Sequence, residues 1–457
     1  MLRKLLVVAC VLVFAVGAFL VPFPDGVVTL VLVTALASVT VIILRRLTPE
    51  KEFITNVYLL ALVVRIGLGI FIHVFELREF FGPDAATYDW NGAGWMNVWL
   101  GHAEPTSDLL WQNDPTRGAG WGMNYFTAAI YMLVGHNIFA AQSICALIGA
   151  ATAPLVYFCA NRVFNNLRVA KVAAIAVAIF PSFVVWSSQL LKDGLIIFLL
   201  VLAMTMVLQL QTKFSYAALG LLLFALLGVF SLRFYIFYMV LVAVVGSLVV
   251  GLSNAQRHIL RSTIVLVLLG VGLTFLGVGQ KAAVELRVFG SLERVQSSRS
   301  DLARRAESGY GEDEDVSTTA GALSVLPLGF AYLMLAPFPW QAANFRQAIT
   351  TPEMLVWWSM IPLFVIGLIY TVKNRLRNAF PILIFSLLLT VAYSIFQGNV
   401  GTAYRQRTQI QVFMFIFIAV GWTLFLEKRE NKRILDAAAH KRLQDNIHRR
   451  NRPPNED

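Results

Sequence analysis

The segment 80-FFGPDAATYDWNGAGWMN-97 places two carboxylates, Asp84 and Asp89, among aromatic residues directly after a long apolar run. A carboxylate at the depth where water meets lipid is partly desolvated, which makes it a better general base. Asp84 follows Gly-Pro just where the apolar run ends, so its position suggests a proton acceptor. The Pro-Asp pair is also favourable as a turn or a helix N-cap, and position alone leaves that structural role open.

The composition predicts that a lipid bilayer surrounds most of this chain. Of its 457 residues, 58% are hydrophobic and 14% are charged, and the mean hydropathy is +0.69. Soluble domains carry about 25% charged residues. Several uncharged runs, including 234–252 and 262–279, are as long as the ~18 residues that read as a membrane-spanning helix. The predicted fold class is therefore an all-α polytopic membrane protein.

The net charge of +11 does not indicate a nucleic-acid partner. Lysine and arginine gather at predicted cytoplasmic helix ends, as the positive-inside rule expects. The three cysteines lie in apolar runs without metal-ligand spacing, and the chain has no HExxH, no CxxC pair, no Walker loop and no GxGxxG after a strand. The sequence therefore suggests neither a metal nor a nucleotide cofactor.

The distribution of charge predicts about twelve crossings with both termini in the cytoplasm. The basic start of the chain and Arg45-Arg46 mark the inside, which puts the loop 76–137 on the non-cytoplasmic face. Residues 280–345 form a late outer loop whose part near 323–345 is predicted to be re-entrant or interfacial, because it is short and proline-rich. The transmembrane domain covers 1–426, and 427–457 is a basic cytoplasmic tail.

Five tryptophans in the first outer loop predict amphipathic helices that lie in the headgroup layer. Their positions are Trp90, Trp95, Trp99, Trp111 and Trp121.

Several segments resemble the integral-membrane glycosyltransferases of the GT-C class. The pattern PDAATYDWNGA is similar to the family's first outer loop, and 124–164 is similar to its jaw helix and following span. The segment 179-IFPSFVVWSSQLLKDGLIIFLL-200 resembles a span pair with a KD motif, and 398-GNVGTAYRQRTQI-410 resembles the arginine-bearing end of members from exopolysaccharide loci. The resembling branch (family 39-like) uses sugars on polyprenyl phosphate.

This resemblance implies that Asp84 deprotonates an acceptor hydroxyl, which then attacks the anomeric carbon of a polyprenyl-phosphate-linked sugar with inversion. Asp89 is a second candidate that could orient the acceptor or cap the next helix. The family's lipid-phosphate-sugar members need no metal. The implied partners are the lipid-linked donor, a lipid, glycan or protein acceptor, and membrane lipids. A bacterial inner (plasma) membrane is favoured, with the active site on its periplasmic or extracellular face.

A polyprenyl-phosphate leaving group would require cations on the outer face. Arg405 and Arg407 lie there by topology, and their spacing points them in different directions, so one could bind phosphate and the other could be structural. Positive charge on the outer face is contrary to the positive-inside bias, so a specific role is expected for these arginines. Further candidates for phosphate binding are Arg233 and Arg346. Supporting or structural roles are predicted for Tyr88, Lys192 and Asp193.

Two other functions remain open from the sequence. An O-antigen-type or exopolysaccharide polymerase or ligase also has about a dozen spans and outward arginines, but it typically relies on a late loop with arginine and histidine. A flippase for a lipid-linked glycan would want ionisable residues within the bundle, for which Arg65 and His73 are the clear candidates.

Overall fold

The computed structural model describes residues 2–112, 120–250, 256–275, 277–278, 283, 290–304, 308–341 and 345–450. At 250, 256–261 and 435–450 the description covers the backbone alone. Asp114 and Arg117, two charged residues of the first outer loop, lie outside these ranges.

Twenty α-helices make up the described parts of the chain, in which no β-strand is formed. The helices of the first half are α1 Leu2–Leu20, α2 Asp25–Leu47, α3 Lys51–Val74, α4 Arg78–Phe81, α5 Asp84–Trp99, α6 Ser107–Gln112, α7 Trp121–Val134, α8 Ile138–Phe164, α9 Leu167–Ile179 and α10 Pro181–Ser187. Those of the second half are α11 Lys192–Thr212, α12 Tyr216–Leu232, α13 Phe234–Val250, α14 Gln256–Phe275, α15 Leu292–Arg304, α16 Thr319–Leu335, α17 Phe345–Ala348, α18 Thr351–Asn374, α19 Leu376–Phe396 and α20 Val400–Arg450.

Eight of these helices are long and apolar enough to cross a membrane, and α9 with α10 forms a ninth candidate that bends by 55°. Three shorter apolar helices, α12, α13 and α14, lie where the sequence predicted the remaining crossings. Each of the twelve predicted spans therefore corresponds to a helix or a bent pair of helices. The prediction of a polytopic helical membrane protein is confirmed.

Helix α16 is a fourth shorter apolar helix, and it packs against the ends of the last spans. A Cβ at Gly329 would collide with the backbone of Ser394, two residues before α19 ends. Five residues later, the Met334 carbonyl accepts a hydrogen bond from Trp357 Nε1, in the second turn of α18. Both contacts lie at one end of the bundle, which agrees with an interfacial segment.

One end of the bundle carries α4 to α7, and we call it the loop end. Helices α3, α10, α12 and α19 finish there, while α8, α11, α13 and α20 begin there. Helix α11 packs against α8, α12 and α20 and is buried along most of its length. Polar side chains in its first turn are therefore withdrawn from solvent at the loop end.

The last helix is continuous from Val400 to Arg450. It passes residue 426, where the sequence placed the start of a separate tail, without a break. Near that position, Arg168 at the start of α9 pairs with Glu430 at 3.1 Å.

Candidate functional site

Arg405 connects two carboxylates from distant parts of the chain. Its Nη1 donates to Asp84 Oδ2 at 2.8 Å, and its Nε donates to Asp193 Oδ2 at 2.7 Å. Its Nη2 approaches the same Asp193 oxygen at 2.5 Å. Hydrogen bonds between charged groups are roughly twice as strong as neutral ones. Arg405 therefore ties the first residues of α5 and α11 to the second turn of α20.

Asp193 is shared between two arginines. Its Oδ1 accepts from Arg233 Nη2 at 3.2 Å. Arg233 Nη1 in turn donates to the hydroxyls of Tyr235 at 3.3 Å and Tyr393 at 3.5 Å. A buried carboxylate is costly unless it is paired, and Asp193 also sits in the first turn of α11, where the helix dipole favours negative charge. Two guanidiniums and this dipole let Asp193 remain ionised.

These four residues form what we call the ionic chain: Asp84, Arg405, Asp193 and Arg233. The exposed fraction of the side chain falls from 46% at Asp84 to 15% at Arg405 and 7% at Arg233, and it is 0% at Asp193. The chain therefore opens to its surroundings at Asp84. A ligand that arrives from outside the protein meets Asp84 and Arg405 first.

Lys192 and two aromatic rings flank the ionic chain. The Lys192 ammonium lies 6.0 Å from the centre of the Tyr88 ring, and the Arg405 guanidinium lies 5.6 Å from the Trp186 ring. Such contacts between cations and ring faces hold cationic side chains in place. Burial raises the pKa of Tyr88, and the nearby Asp84 charge raises it further, so the phenol is neutral at ordinary pH.

Close packing fixes the helix that carries Asp84. A Cβ on Gly92 in α5 would come within 2.7 Å of the Thr127 Cβ in α7, so glycine lets these two helices touch. Gly120, just before α7, has φ +118°, a conformation that L side chains rarely adopt. A Cβ at that position would also lie 3.0 Å from the Lys192 ammonium. The two glycines therefore hold α5 and α7 over the start of α11.

Asp89 lies on a different face of α5 from Asp84. Five helical residues correspond to a rotation of about 140°. The Asp89 carboxylate accepts from the Tyr131 hydroxyl at 2.5 Å and contacts His136 Nε2 at 2.8 Å. Burial and this hydrogen bond to Asp89 raise the pKa of Tyr131, so the phenol stays a donor. The structure thus separates the two predicted carboxylates and places Asp89 at the corner between α7 and α8.

Arg407 points away from the ionic chain, as its spacing from Arg405 predicts. It has no exposed surface, and its Nη1 donates to the carbonyls of Met334 at 3.2 Å and Ala336 at 2.9 Å. The guanidinium also lies over the rings of Trp357 and Tyr404. These contacts attach the end of α16 to α20.

Arg346 is exposed and contacts the first loop. Its Nη2 donates to the Glu79 carbonyl at 3.1 Å, and its guanidinium lies 5.1 Å from the Phe80 ring. Among the described residues, Arg346 therefore contacts α4 and none of the carboxylates of the ionic chain.

A buried cluster around Glu353 was not foreseen from the sequence. The Glu353 carboxylate, in the first turn of α18, accepts from the hydroxyls of Ser182 and Tyr404, the latter at 2.7 Å. Tyr404 directly precedes Arg405, and its ring packs against Trp186. An acidic residue at the start of an otherwise apolar span was the available signal. The cluster connects α10, α18 and α20 beside the ionic chain.

Arg65 satisfies backbone groups at the break between α9 and α10. Pro181 has no N–H, so the Val177 carbonyl has no partner four residues ahead. Arg65 donates to this carbonyl at 3.2 Å and to that of Ala178 at 2.8 Å, and its Nε donates to Ser187 Oγ at 2.8 Å. These bonds account for a buried cation in the bundle without an ion-relay role.

The late loop is attached to the start of α20. Tyr310 N donates to the Gly398 carbonyl at 2.8 Å, and Val400 N donates to the Ser308 carbonyl at 3.0 Å. Arg299 in α15 is buried and donates to the Ile395 carbonyl at 3.1 Å. The loop therefore contacts the last residues before the helix that carries Arg405.

The comparison with known families matches the middle of the chain. The model of the dolichyl-phosphate-mannose-protein mannosyltransferase family matches residues 120–278, little more than a third of the sequence. Lys192, Asp193 and Arg233 lie inside the matched segment, and Asp84 and Arg405 lie outside it. No curated protein matches the chain. The family match and the helical membrane fold together support a GT-C-like glycosyltransferase.

Proposed function

We propose that the protein transfers a sugar from a polyprenyl-phosphate-linked donor to an acceptor hydroxyl, with Asp84 as the general base. The contact between Asp84 and Arg405 carries this proposal. It puts a half-exposed carboxylate, able to take a proton, next to a guanidinium, able to take a phosphate. The matched family is named for dolichyl-phosphate-mannose, a lipid-phosphate-sugar donor, which agrees with this pair of groups.

The reaction is a single displacement at the anomeric carbon. The acceptor O–H gives its proton to Asp84, and the acceptor oxygen forms the new bond to the anomeric carbon. The bond between that carbon and the phosphate oxygen breaks, and polyprenyl phosphate leaves with the electron pair. A guanidinium suits this leaving group because its planar fork matches phosphate oxygens. Attack opposite the leaving group inverts the anomeric configuration.

The proposed site faces the non-cytoplasmic side of the membrane. Arg45 and Arg46, Arg162 and Lys373 all lie at or near helix ends opposite the loop end. The positive-inside rule places those ends in the cytoplasm. The loop end, with the ionic chain, is then periplasmic or extracellular, and a bacterial inner membrane suits this arrangement.

Other predicted site residues receive supporting roles in this proposal. Arg233 holds Asp193, and Asp193 holds Arg405, so both position the phosphate ligand from behind. Asp89 fixes α5 to the corner between α7 and α8 through Tyr131 and His136.

Sugar transfer from native polyprenyl-linked donor lipids tests Asp84. We expect Asp84→Asn to lose about a hundredfold in rate, roughly 3 kcal/mol in the barrier, with an unchanged unfolding temperature. Asp108→Asn is a matched control, because Asp108 is an exposed carboxylate in the first turn of another helix of the same loop. If Asp84→Asn transfers sugar normally while Arg405→Met is inactive, the base assignment is wrong and a polymerase or ligase reaction takes precedence.

A further inference from the structure

Among the residues that the structure describes, charge is not balanced around the ionic chain. Asp84 and Asp193 supply two negative charges, while Arg405, Arg233 and Lys192 supply three positive ones. Lys192 interacts electrostatically with all four members of the chain. Asp193 is enclosed between two arginines, so the excess of one positive charge falls on the part of the site that opens at Asp84. A site of this kind is suited to one added anion.

Lys192 is the cation that has no carboxylate partner in the described part of the chain. Within the described residues, no carboxylate oxygen is recorded within 4 Å of its ammonium, whereas both arginines have carboxylate partners. Its ammonium lies 6.0 Å from the centre of the Tyr88 ring and close to Gly120, where an added Cβ would come within 3.0 Å of it. Lysine ammonium groups bind phosphate as point charges. The aromatic ring and the glycine hold this charge in place without neutralising it.

Arg405 has a hydrogen-bonding group to spare. Its Nη2 is buried and carries two N–H groups, and the acceptor that it approaches among the described residues, Asp193 Oδ2 at 2.5 Å, already accepts from Nε. An unsatisfied guanidinium N–H is costly in a buried site, so it favours an additional acceptor. Its Nη1 bonds Asp84, the more exposed of its two carboxylate partners. An incoming anion can therefore replace Asp84 far more easily than Asp193.

We infer that the donor phosphate binds between Lys192 and Arg405 and displaces Asp84 from Arg405. This inference rests on the proposed function. Phosphate oxygens take over Nη1, satisfy Nη2 and pair with the Lys192 ammonium. Asp84, released from its guanidinium, then faces the acceptor hydroxyl as a free carboxylate. The base is thus freed for proton abstraction only when the donor is present.

Binding of polyprenyl monophosphate, which carries no sugar, tests this exchange separately from catalysis. The protein in lipid nanodiscs is titrated, and tryptophan fluorescence is followed because Trp186 stacks on Arg405. We expect Asp84→Asn to bind the lipid about tenfold more tightly, since the competing carboxylate is gone. We expect Lys192→Gln to bind about tenfold more weakly, and Lys192→Arg to restore most of the affinity. Asp84→Ser repeats the first test with a different side chain.

Lys213→Gln serves as the matched control. Lys213 follows the opposite end of the same helix α11 and is exposed, so its substitution should leave lipid binding unchanged. Thermal unfolding of each variant identifies any loss of folding.

Two results would overturn the inference. One is unchanged or weaker lipid binding by Asp84→Asn and Asp84→Ser, and the other is unchanged binding by Lys192→Gln. Titration with inorganic phosphate separates the possible sources of the anion. The same pattern with inorganic phosphate, and none with the lipid, would remove the assignment to the donor. If wild type transfers sugar but the Asp84 variants do not tighten binding, only the exchange fails. If wild type binds no lipid phosphate at all, the proposed function fails with it.

Discussion

Arg405 Nη1 and Asp84 Oδ2 lie 2.8 Å apart although 321 residues separate them along the chain. Arg405 belongs to the last helix, α20, and Asp84 belongs to α5, which follows the short helix α4 in the first outer loop. Asp193 and Arg233, from the middle of the chain, complete the contact from behind. The site therefore exists only when the first, middle and last parts of the bundle have packed together.

Asp193→Asn should destabilise the folded protein, because Asp193 is fully buried between two arginines. It leaves Arg233 and Arg405 in a buried site without their shared carboxylate, and breaking a buried ion pair in this way costs about 3–5 kcal/mol. We expect a marked fall in the unfolding temperature in detergent, together with loss of sugar transfer. The double variant Asp193→Asn with Arg233→Gln should recover part of the stability, because it removes one of the stranded charges. A double variant less stable than the sum of the single changes would contradict this pairing.

Arg407→Met should reduce stability and leave lipid binding intact. It removes the donor for the Ala336 carbonyl, whereas the Met334 carbonyl keeps its bond from Trp357 Nε1, and a buried carbonyl left without a partner costs about 1–3 kcal/mol. Arg405→Met should instead weaken the binding of polyprenyl monophosphate. Measuring both the dissociation constant and the unfolding temperature for the two variants separates these roles. Loss of lipid binding in Arg407→Met with normal stability would show that Arg407, too, serves the phosphate.

Arg65 and Pro181 should be coupled in stability. Arg65→Met leaves the carbonyls of Val177 and Ala178 without donors, so we expect a loss of about 3 kcal/mol. Pro181→Ala restores a backbone N–H that can reach the Val177 carbonyl once α9 and α10 straighten. The double variant should therefore recover about 1 kcal/mol relative to Arg65→Met, as read from unfolding in a denaturant series. A flippase relay through Arg65 predicts the opposite: normal stability and loss of lipid-linked glycan translocation.

The helices, and the end of the bundle at which the candidate site lies, can be predicted from the sequence. Hydrophobic runs of bilayer length and the positive-inside bias determine which residues share an end of the bundle. Asp84, Lys192, Asp193, Arg233 and Arg405 all fall at or near helix ends on the same side, and the structure brings these predicted residues together with Tyr88.

The pairing within that set does not follow from the sequence, because it depends on the rotation of each helix about its axis. Arg405 and Arg407 are two residues apart and therefore about 200° apart on α20. Their spacing predicts different directions, but tertiary packing decides which of them meets a carboxylate. Asp84 and Asp89 differ for the same reason. Hydrophobic periodicity gives little help here, since neither α11 nor α20 has a distinct apolar face.

Backbone partners are the hardest to predict. Arg65 binds carbonyls exposed by a proline more than one hundred residues away, and carbonyl groups carry no side-chain signature. From the sequence alone, Arg65 could therefore be interpreted as a transport residue. In the structure it caps the carbonyl end of α9. Glu353 has hydroxyl partners on two other helices, and neither partner is distinctive in its own segment.

The continuity of α20 gives the molecule a mechanical link between its two ends. A helix of 51 residues is about 76 Å long at 1.5 Å per residue, more than twice the ~30 Å hydrocarbon core. Its first turns hold Arg405 and are attached to the late loop, while its second half carries the basic residues 428-KRENKR-433. A force or torque applied to the second half of α20 is therefore transmitted along one continuous helix to Arg405. An axial shift of one residue would move Arg405 by about 1.5 Å, which is more than half the length of its bonds of 2.8 Å to Asp84 and 2.7 Å to Asp193.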